Sequence, residues 1–233
     1  MKKISIVMPI YNEKDTLTEC VRRVLAVELP VEKELILVND ASTDSSDKVI
    51  EELCQKNIHY SIKAVSHSRN KGKGAALRSG FAEVSGDIVI VQDADLEYNP
   101  NDYPQLLKPI LDGRSDVVYG SRFIGSEEKR VLYYWHSLGN KLLTTFSNMC
   151  TNLNLTDMET CYKVFRREVI DKLDIKSRRF GVEPEITAKI AKAEWRIYEV
   201  GISYSGRTYK EGKKITWKDG FVAIITIIRF NFF

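Results

Sequence analysis

The sequence predicts an α/β fold, a doubly wound and mostly parallel sheet with helices on both faces. Three observations carry that expectation. Short β-branched runs alternate with helical periodicity through the first half of the chain, the order that βαβ units produce. These runs are apolar on both faces, as strands covered on both sides must be. Each run also ends in a polar cluster, on the side where open α/β sheets bind their ligands.

The first run, "ISIVM" from Ile4 to Met8, follows two lysines but is too short for a signal peptide. Asn12 and Glu13 stand directly behind it and no small-residue cleavage site follows, so it is read as a strand. Leu17, Cys20, Val21, Val24 and Leu25 then recur at helical spacing. "ELILVN" (Glu34 to Asn39) is the second strand, followed by helical spacing at Val49, Ile50, Leu53 and Cys54. "SIKAVS" (Ser61 to Ser66) is the third, followed by Ala76, Leu77, Gly80, Phe81 and Val84. "DIVIVQ" (Asp87 to Gln92) and "DVVYG" (Asp116 to Gly120) are the fourth and fifth.

The second half is less regular. A helix is expected from about Tyr133 to Asn152, "CYKVFRREVI" is a strand running into a helix, and "EPEITAKIAKA" is another helix. "WRIYEVGISY" is a strand and "WKDGFVAIITIIRFNFF" a terminal helix. With no compositional break near residue 125, residues 1–216 are taken as one domain whose C-terminal half forms the second wall of a cleft. Residues 217–233 form an apolar or amphipathic helix that could lie at a membrane interface.

The chain has 233 residues, 43% of them apolar and 29% charged, the balance of a soluble globular protein with a core that needs no staples. Its four cysteines show no C-x-x-C pairing and are read as reduced thiols of a cytosolic protein. Net charge is +3, yet the last 38 residues hold seven Lys and Arg against three Asp and Glu, so the basic excess sits at the C-terminus. The longest apolar run, "FVAIITII", is too short to span a bilayer, which takes about 18 residues.

The strand ends read "PIYNE", "NDASTD", "HSRNKGKG", "QDADLE" and "GSRF". Asp93 and Asp95, two apart in an extended segment, point the same way. Like charges so close are costly unless a cation lies between them. A hard divalent ion completed by substrate phosphates fits. An EF-hand starting at Asp93 fails, because Tyr98 and Pro104 stand where Gly and Glu belong. "GKGAAL" from Gly72 is a poor dinucleotide fingerprint but opens a lysine-flanked helix, a natural seat for phosphate. Ser42, Thr43 or Asp44 is expected to cap the helix after the second strand, leaving Asp40 free to bind a nucleobase. His59, His67 and His136 lack ligand spacing and are assigned surface or packing roles.

Together "IVMPIYNE", "VNDASTD", "GKGAALRSG", "DADLEYNP" and "GSRF", in this order, resemble the inverting glycosyltransferases of family 2, with the GT-A fold. Within that family the likeness is to polyprenyl-phosphate sugar synthases such as dolichyl-phosphate mannose synthase, and it runs from Lys3 to about Lys214. The resemblance implies that Pro9, Tyr11 and Glu13 lie along the nucleotide and that Val38 and Asp40 hold the base, with Lys73 assisting. It assigns Asp93, Ala94 and Asp95 to the donor diphosphate and its metal, Mg2+ or Mn2+, with Glu97 a lesser ligand. Arg122 and, from "YSGRTYKEGKK", Arg207 and Lys213 are implied phosphate contacts; Asp95, Arg122, Arg207 and Lys213 carry the catalysis. Arg122, Arg130, Ser137 and Asp157 are implied on the acceptor phosphate, although "DMETCYKVF" departs from the family's D-P-x-S-G-F at Met158 and Cys161.

The expected reaction is metal-dependent inverting transfer of a hexose from GDP-mannose or UDP-glucose to dolichyl or undecaprenyl phosphate, by a peripheral enzyme at the cytoplasmic face of a membrane. A phosphate monoester is largely dianionic at pH 7 and needs no general base. Arg122, Arg130, Arg207, Lys213 and Lys214 would let two anions meet. Two other readings stay open: a family 2 enzyme acting on a glycan, protein or lipid hydroxyl, with Glu183 or Glu185 as base, and a nucleotide-sugar-binding or phosphate-binding domain without turnover. No nucleic-acid partner is expected, and a homo-oligomer is left open.

Overall fold

A computed structural model of the chain describes residues 2–125, 128–131, 133–208, 211 and 217–233. Its centre is a seven-stranded sheet in the order β3-β2-β1-β4-β6-β5-β7. The strands are β1 (Lys3–Ile10), β2 (Glu32–Asn39), β3 (Ser61–Ser66), β4 (Ile88–Val91), β5 (Val117–Ser121), β6 (Lys163–Arg166) and β7 (Ile197–Gly201). β1 pairs in parallel with β2 and β4, β2 with β3, and β5 with β7. Only β6 runs antiparallel, between β4 and β5. The chain therefore winds outward from β1 to β3 and returns to the other side of β1 at β4. The crevice at that reversal is the standard ligand position in such sheets.

Helices α1 (Leu17–Ala26), α2 (Ser46–Lys56) and α3 (Lys73–Ala82) fill the first crossovers as the periodicity predicts. β1 shows why both faces must be covered: Ile4, Ile6, Val7 and Met8 are all fully buried although they alternate between faces. Gly80 of α3 lets the helix sit directly on the sheet; a Cβ there would stand 2.3 Å from Val7 Cγ1 and 3.1 Å from Val38 Cγ2.

Between β4 and β5 a short 3-10 turn (Pro100–Asp102) leads into a helix the pattern did not reveal, α4 (Tyr103–Leu111). Pro104 falls in its first turn, where no amide donor is needed, and Pro109 near its end; both read as breakers in the sequence. In the second half, α5 (Tyr134–Thr151), α6 (Arg167–Lys172), α7 (Val182–Lys192) and α8 (Trp217–Phe232) follow. α8 packs against α5 and α7, burying Ala223 and Ile227 while Phe221, Ile225 and Phe232 stay exposed. Among the described residues no helix is long and apolar enough to cross a membrane. The four cysteines are free thiols, Cys20 and Cys161 buried beneath the sheet end.

Candidate active site

The loops after β1 and β2 are sewn together by their polar residues. Asn12 N donates to Ser42 Oγ, Thr43 N to Asn12 Oδ1 at 2.7 Å, Glu13 N to Ser46 Oγ and Lys14 N to Asp44 Oδ2. Asp44 Oδ1 also accepts from Ser46 N at 3.0 Å in an Asx turn, but the cap of α2 is Ser45, whose side chain makes no cap bond, and not Ser42, Thr43 or Asp44 as expected. Asn12, Ala41, Ser45 and Leu96 adopt positive φ, a costly conformation for residues other than glycine. All four lie at the carboxyl end of the sheet. Leu96, at φ 64°, sits between Asp95 and Glu97, and both flanking carboxylates meet one guanidinium.

That guanidinium is Arg207. Its Nη2 donates to Asp95 Oδ2 at 2.9 Å, its Nε to Glu97 Oε1 at 3.0 Å, and its Nη1 lies 3.5 Å from Glu13 Oε2. On the other side Lys73 Nζ stands 2.9 Å from Asp93 Oδ1 and 3.0 Å from Glu183 Oε1. Among the described residues the crevice thus gathers five carboxylates (Glu13, Asp93, Asp95, Glu97, Glu183) in contact with two cations. Burial first, and then Asp93 and Glu97, push the Asp95 carboxyl up to about 7. Asp93 and Asp95, here paired with Lys73 and Arg207, are the carboxylates a divalent cation would take. Among the described residues no group of three or more His, Cys, Asp or Glu is placed to hold a metal by itself; a cation on these two carboxylates would need further oxygens, such as a substrate's phosphates.

Arg122, at the end of β5, forms a second cationic centre. Its Nε and Nη2 donate to Asp157 Oδ2 and Oδ1 at 2.6 and 2.7 Å, and its backbone N to Oδ2 at 3.1 Å. The guanidinium lies over the Tyr204 ring at 5.2 Å, and Tyr204 OH donates to Glu97 Oε2 at 2.6 Å. Arg122 and Arg207 are therefore linked through Tyr204 and Glu97, which stand 107 residues apart in the chain.

Four of the expected ligand residues are enclosed or already engaged within the chain. Asp40 is not free for a base: it is buried, and its carboxylate accepts from His67 Nδ1, Lys71 N and Gly72 N at 2.6, 2.8 and 2.6 Å. Val38 is fully buried against α3, so its side chain cannot touch a nucleotide. Asp157 is completely enclosed and faces Arg122, which makes it that arginine's holder and not an acceptor contact. Glu97, expected as a lesser metal ligand, has both oxygens bonded, to Tyr204 and Arg207.

The remaining candidates are distributed as follows. Pro9 and Ala94 sit at the ends of β1 and β4, Ala94 buried; Tyr11 is exposed at the mouth and Glu13 reaches Arg207. Arg130 borders a cavity of about 440 Å3 with Arg23, Glu97 and Tyr204, its Nη1 donating to Gly206 O and Glu211. Ser137 is exposed in the first turn of α5. Lys213 and Lys214 lie outside the described residues. Glu185 is no candidate base, because its oxygens accept from Lys176 N and Ser177 N, both at 2.6 Å, and pair with Lys189. Tyr204, Asn140 and the Asp40 partner His67 were not foreseen; nothing local in the sequence marks them, since each acts on a residue far away in the chain.

Comparison with known proteins agrees with this fold. The family model described as glycosyl transferase family 2 matches residues 5–174. The undecaprenyl-phosphate 4-deoxy-4-formamido-L-arabinose transferase of Proteus mirabilis (strain HI4320) is 29% identical over 215 residues, 91% of this chain and 63% of that protein. The dolichol-phosphate mannosyltransferase of Pyrococcus furiosus is 28% identical over 222 residues, 91% of this chain and 60% of that protein. The chain spans about three-fifths of the length of these relatives. Among solved structures, glucosyl-3-phosphoglycerate synthase from Mycobacterium tuberculosis, in complex with Mn2+, UDP and phosphoglyceric acid, aligns with a TM-score of 0.75 at 21% identity. That alignment covers 99% of this chain and 79% of the other, and shows the GT-A fold.

Proposed function

The chain belongs to glycosyl transferase family 2, and on that premise we propose that it transfers a hexose from a nucleotide sugar, GDP-mannose or UDP-glucose, to a polyprenyl phosphate, with inversion at the anomeric carbon. The observation that carries this reading is the committed state of the carboxylates around the cleft. Glu185 is spent on backbone amides, Glu183 pairs with Lys73, Asp157 with Arg122, and Glu97 with Tyr204 and Arg207. Each is ion-paired or amide-bonded; of the four only Glu183 keeps an oxygen, Oε2, without a partner among the described residues, and that oxygen is buried away from an incoming sugar hydroxyl. A phosphate monoester, with a second pKa of about 6, arrives already ionised and needs cations instead.

Those cations are present. Lys73 flanks the acidic pair at the start of α3, its Nζ 2.9 Å from Asp93 Oδ1. Arg207 spans Glu13, Asp95 and Glu97. Arg122 is held by Asp157 and supplies fixed positive charge toward the meeting point of two anions. Asp93 and Asp95 would hold Mg2+ or Mn2+, which neutralises a leaving diphosphate when bound. The relatives named as undecaprenyl- and dolichol-phosphate transferases support the acceptor class.

We also place the enzyme as a peripheral protein at the cytoplasmic face of a membrane, where a lipid phosphate is found. The exposed Phe221, Ile225 and Phe232 of α8, with Arg229 among them, support that placement.

The test is transfer itself: the protein with Mg2+ or Mn2+, a panel of labelled nucleotide sugars, and polyprenyl phosphate present or absent. Label entering the organic phase only with lipid phosphate is expected. Transfer to a glycan or protein hydroxyl instead would replace this reading.

A further inference from the structure

The inner face of α5 carries a polar ladder. Asn140, Thr144 and Asn148 recur every four residues and so share one side of the helix. Each bonds the segment leading into β6. Asn148 Nδ2 donates to Leu155 O at 2.7 Å and its Oδ1 accepts from Leu155 N at 3.1 Å; Thr144 Oγ1 accepts from Met158 N at 3.2 Å; Asn140 Nδ2 donates to Asp157 Oδ1 at 3.1 Å. The first two fix backbone. Asn140 alone reaches a functional side chain, the enclosed carboxylate that grips Arg122.

Asp157 Oδ1 is shared between Asn140 Nδ2 and Arg122 Nη2. The Asn140 donor approaches from α5 and Arg122 from β5, so the carboxylate plane is set from both sides. The Arg122 backbone N holds Oδ2 and the Asn140 carboxamide, on a separate helix, holds Oδ1, so each carboxylate oxygen is tied to a donor that does not turn with the guanidinium. Arg122 Nη1 makes no bond among the described residues, which leaves it for a further partner.

We propose that Asn140 is a positioning residue of the transfer reaction, holding Asp157 so that the Arg122 guanidinium keeps one orientation toward the acceptor phosphate. The proposal rests on the reading that Arg122 meets an acceptor phosphate.

Two arms test it. In the first, the Arg122 Nε–H resonance, identified by its loss in R122K, is followed in N140A, N140Q and N148A. It shifts or broadens in N140A, recovers in N140Q, which keeps a carboxamide donor, and stays put in N148A, which weakens the same segment away from Asp157. In the second, N140A raises the KM for polyprenyl phosphate about tenfold, the worth of one hydrogen bond to a charged group, with the donor KM unchanged. In an R122A background, N140A adds nothing further. An unmoved Arg122 signal in N140A, an equal effect from N148A, or full additivity with R122A would each overturn the proposal. Should N140A fail to fold, N140D, which keeps the side-chain shape but replaces the donor with a repelling oxygen, gives the same decision. If the wild type transfers nothing to lipid phosphate, the proposed function falls on its own, and the resonance arm still decides whether Asn140 positions Arg122.

Discussion

Arg207 holds Asp95 across the cleft, Nη2 to Oδ2 at 2.9 Å, and thereby joins a segment near the end of the chain to the acidic end of β4. The same guanidinium binds Glu97 and approaches Glu13, so one cation neutralises three carboxylates from two loops. R207A leaves all three facing one another. It is expected to lower kcat/KM by about 100-fold or more, the scale of a lost charge stabiliser, and to melt earlier than the wild type. R207K recovers part of this, because an ammonium cannot span three carboxylates. Mg2+ should raise the melting temperature of R207A more than that of the wild type; equal increments would contradict this account.

Asp95 carries its charge at a cost, since burial, Asp93 and Glu97 push its carboxyl up to about 7. D95N removes that cost along with the ligand. The variant should transfer no sugar yet melt cooperatively at or above the wild-type temperature in chelator. A lower melting temperature would show the carboxylate to be structural.

Gly72 has φ +90°, and a Cβ there would lie 2.3 Å from the Arg178 carbonyl. Its amide also donates to Asp40 at 2.6 Å. G72A combines backbone strain with a contact that cannot be relieved by a side-chain rotation, and should destabilise the protein by about 1–3 kcal/mol. Denaturant titration of the two proteins measures the difference.

Glu34 is fully buried at the opposite end of the sheet, bonded to Lys3 Nζ at 2.7 Å and to Ser85 N and Oγ at 2.6 and 2.7 Å, and accepting from Ser5 Oγ. Burial opposes its ionisation, but the bonds from Lys3, Ser5 and Ser85 outweigh burial and hold the carboxyl at about 2, below its usual 4.5. A depressed acid stabilises the fold above its unfolded value, and that contribution disappears as pH falls from about 4.5 through about 2. E34Q should therefore be less stable than the wild type at pH 7, with the gap closing across that window in melting curves. A gap independent of pH would assign the loss to packing.

Phe221 and Ile225 lie one turn apart on the outer side of α8, each 62% exposed. F221E/I225E should abolish sedimentation with anionic vesicles while changing the melting temperature little, because neither side chain is in the core. Undiminished sedimentation would remove α8 from the membrane contact.

The fold was largely legible because its signals are local. Ile4 to Met8 or Ile88 to Val91 announce buried strands by composition alone, and Leu17, Cys20, Val21 and Val24 announce an amphipathic helix by spacing. α4 was hidden because Pro104 and Pro109 break the pattern by which a helix is recognised, although a proline in the first turn breaks nothing. In the site, the Asp93/Asp95 pair and the cationic character of Lys73, Arg122 and Arg207 were readable from strand-end chemistry.

By itself, then, the sequence determined the alternation of strands and helices, the place of the site at the strand ends and the charges available there. The tertiary structure decided which charges are free. Asp40, Asp157 and Glu97 read as ligand groups along the chain, yet each is consumed by a partner 27 to 110 residues away: His67, Arg122 and Arg207. A carboxylate that ends up buried must find a donor in the fold, and nothing next to it in the sequence says which residue that will be.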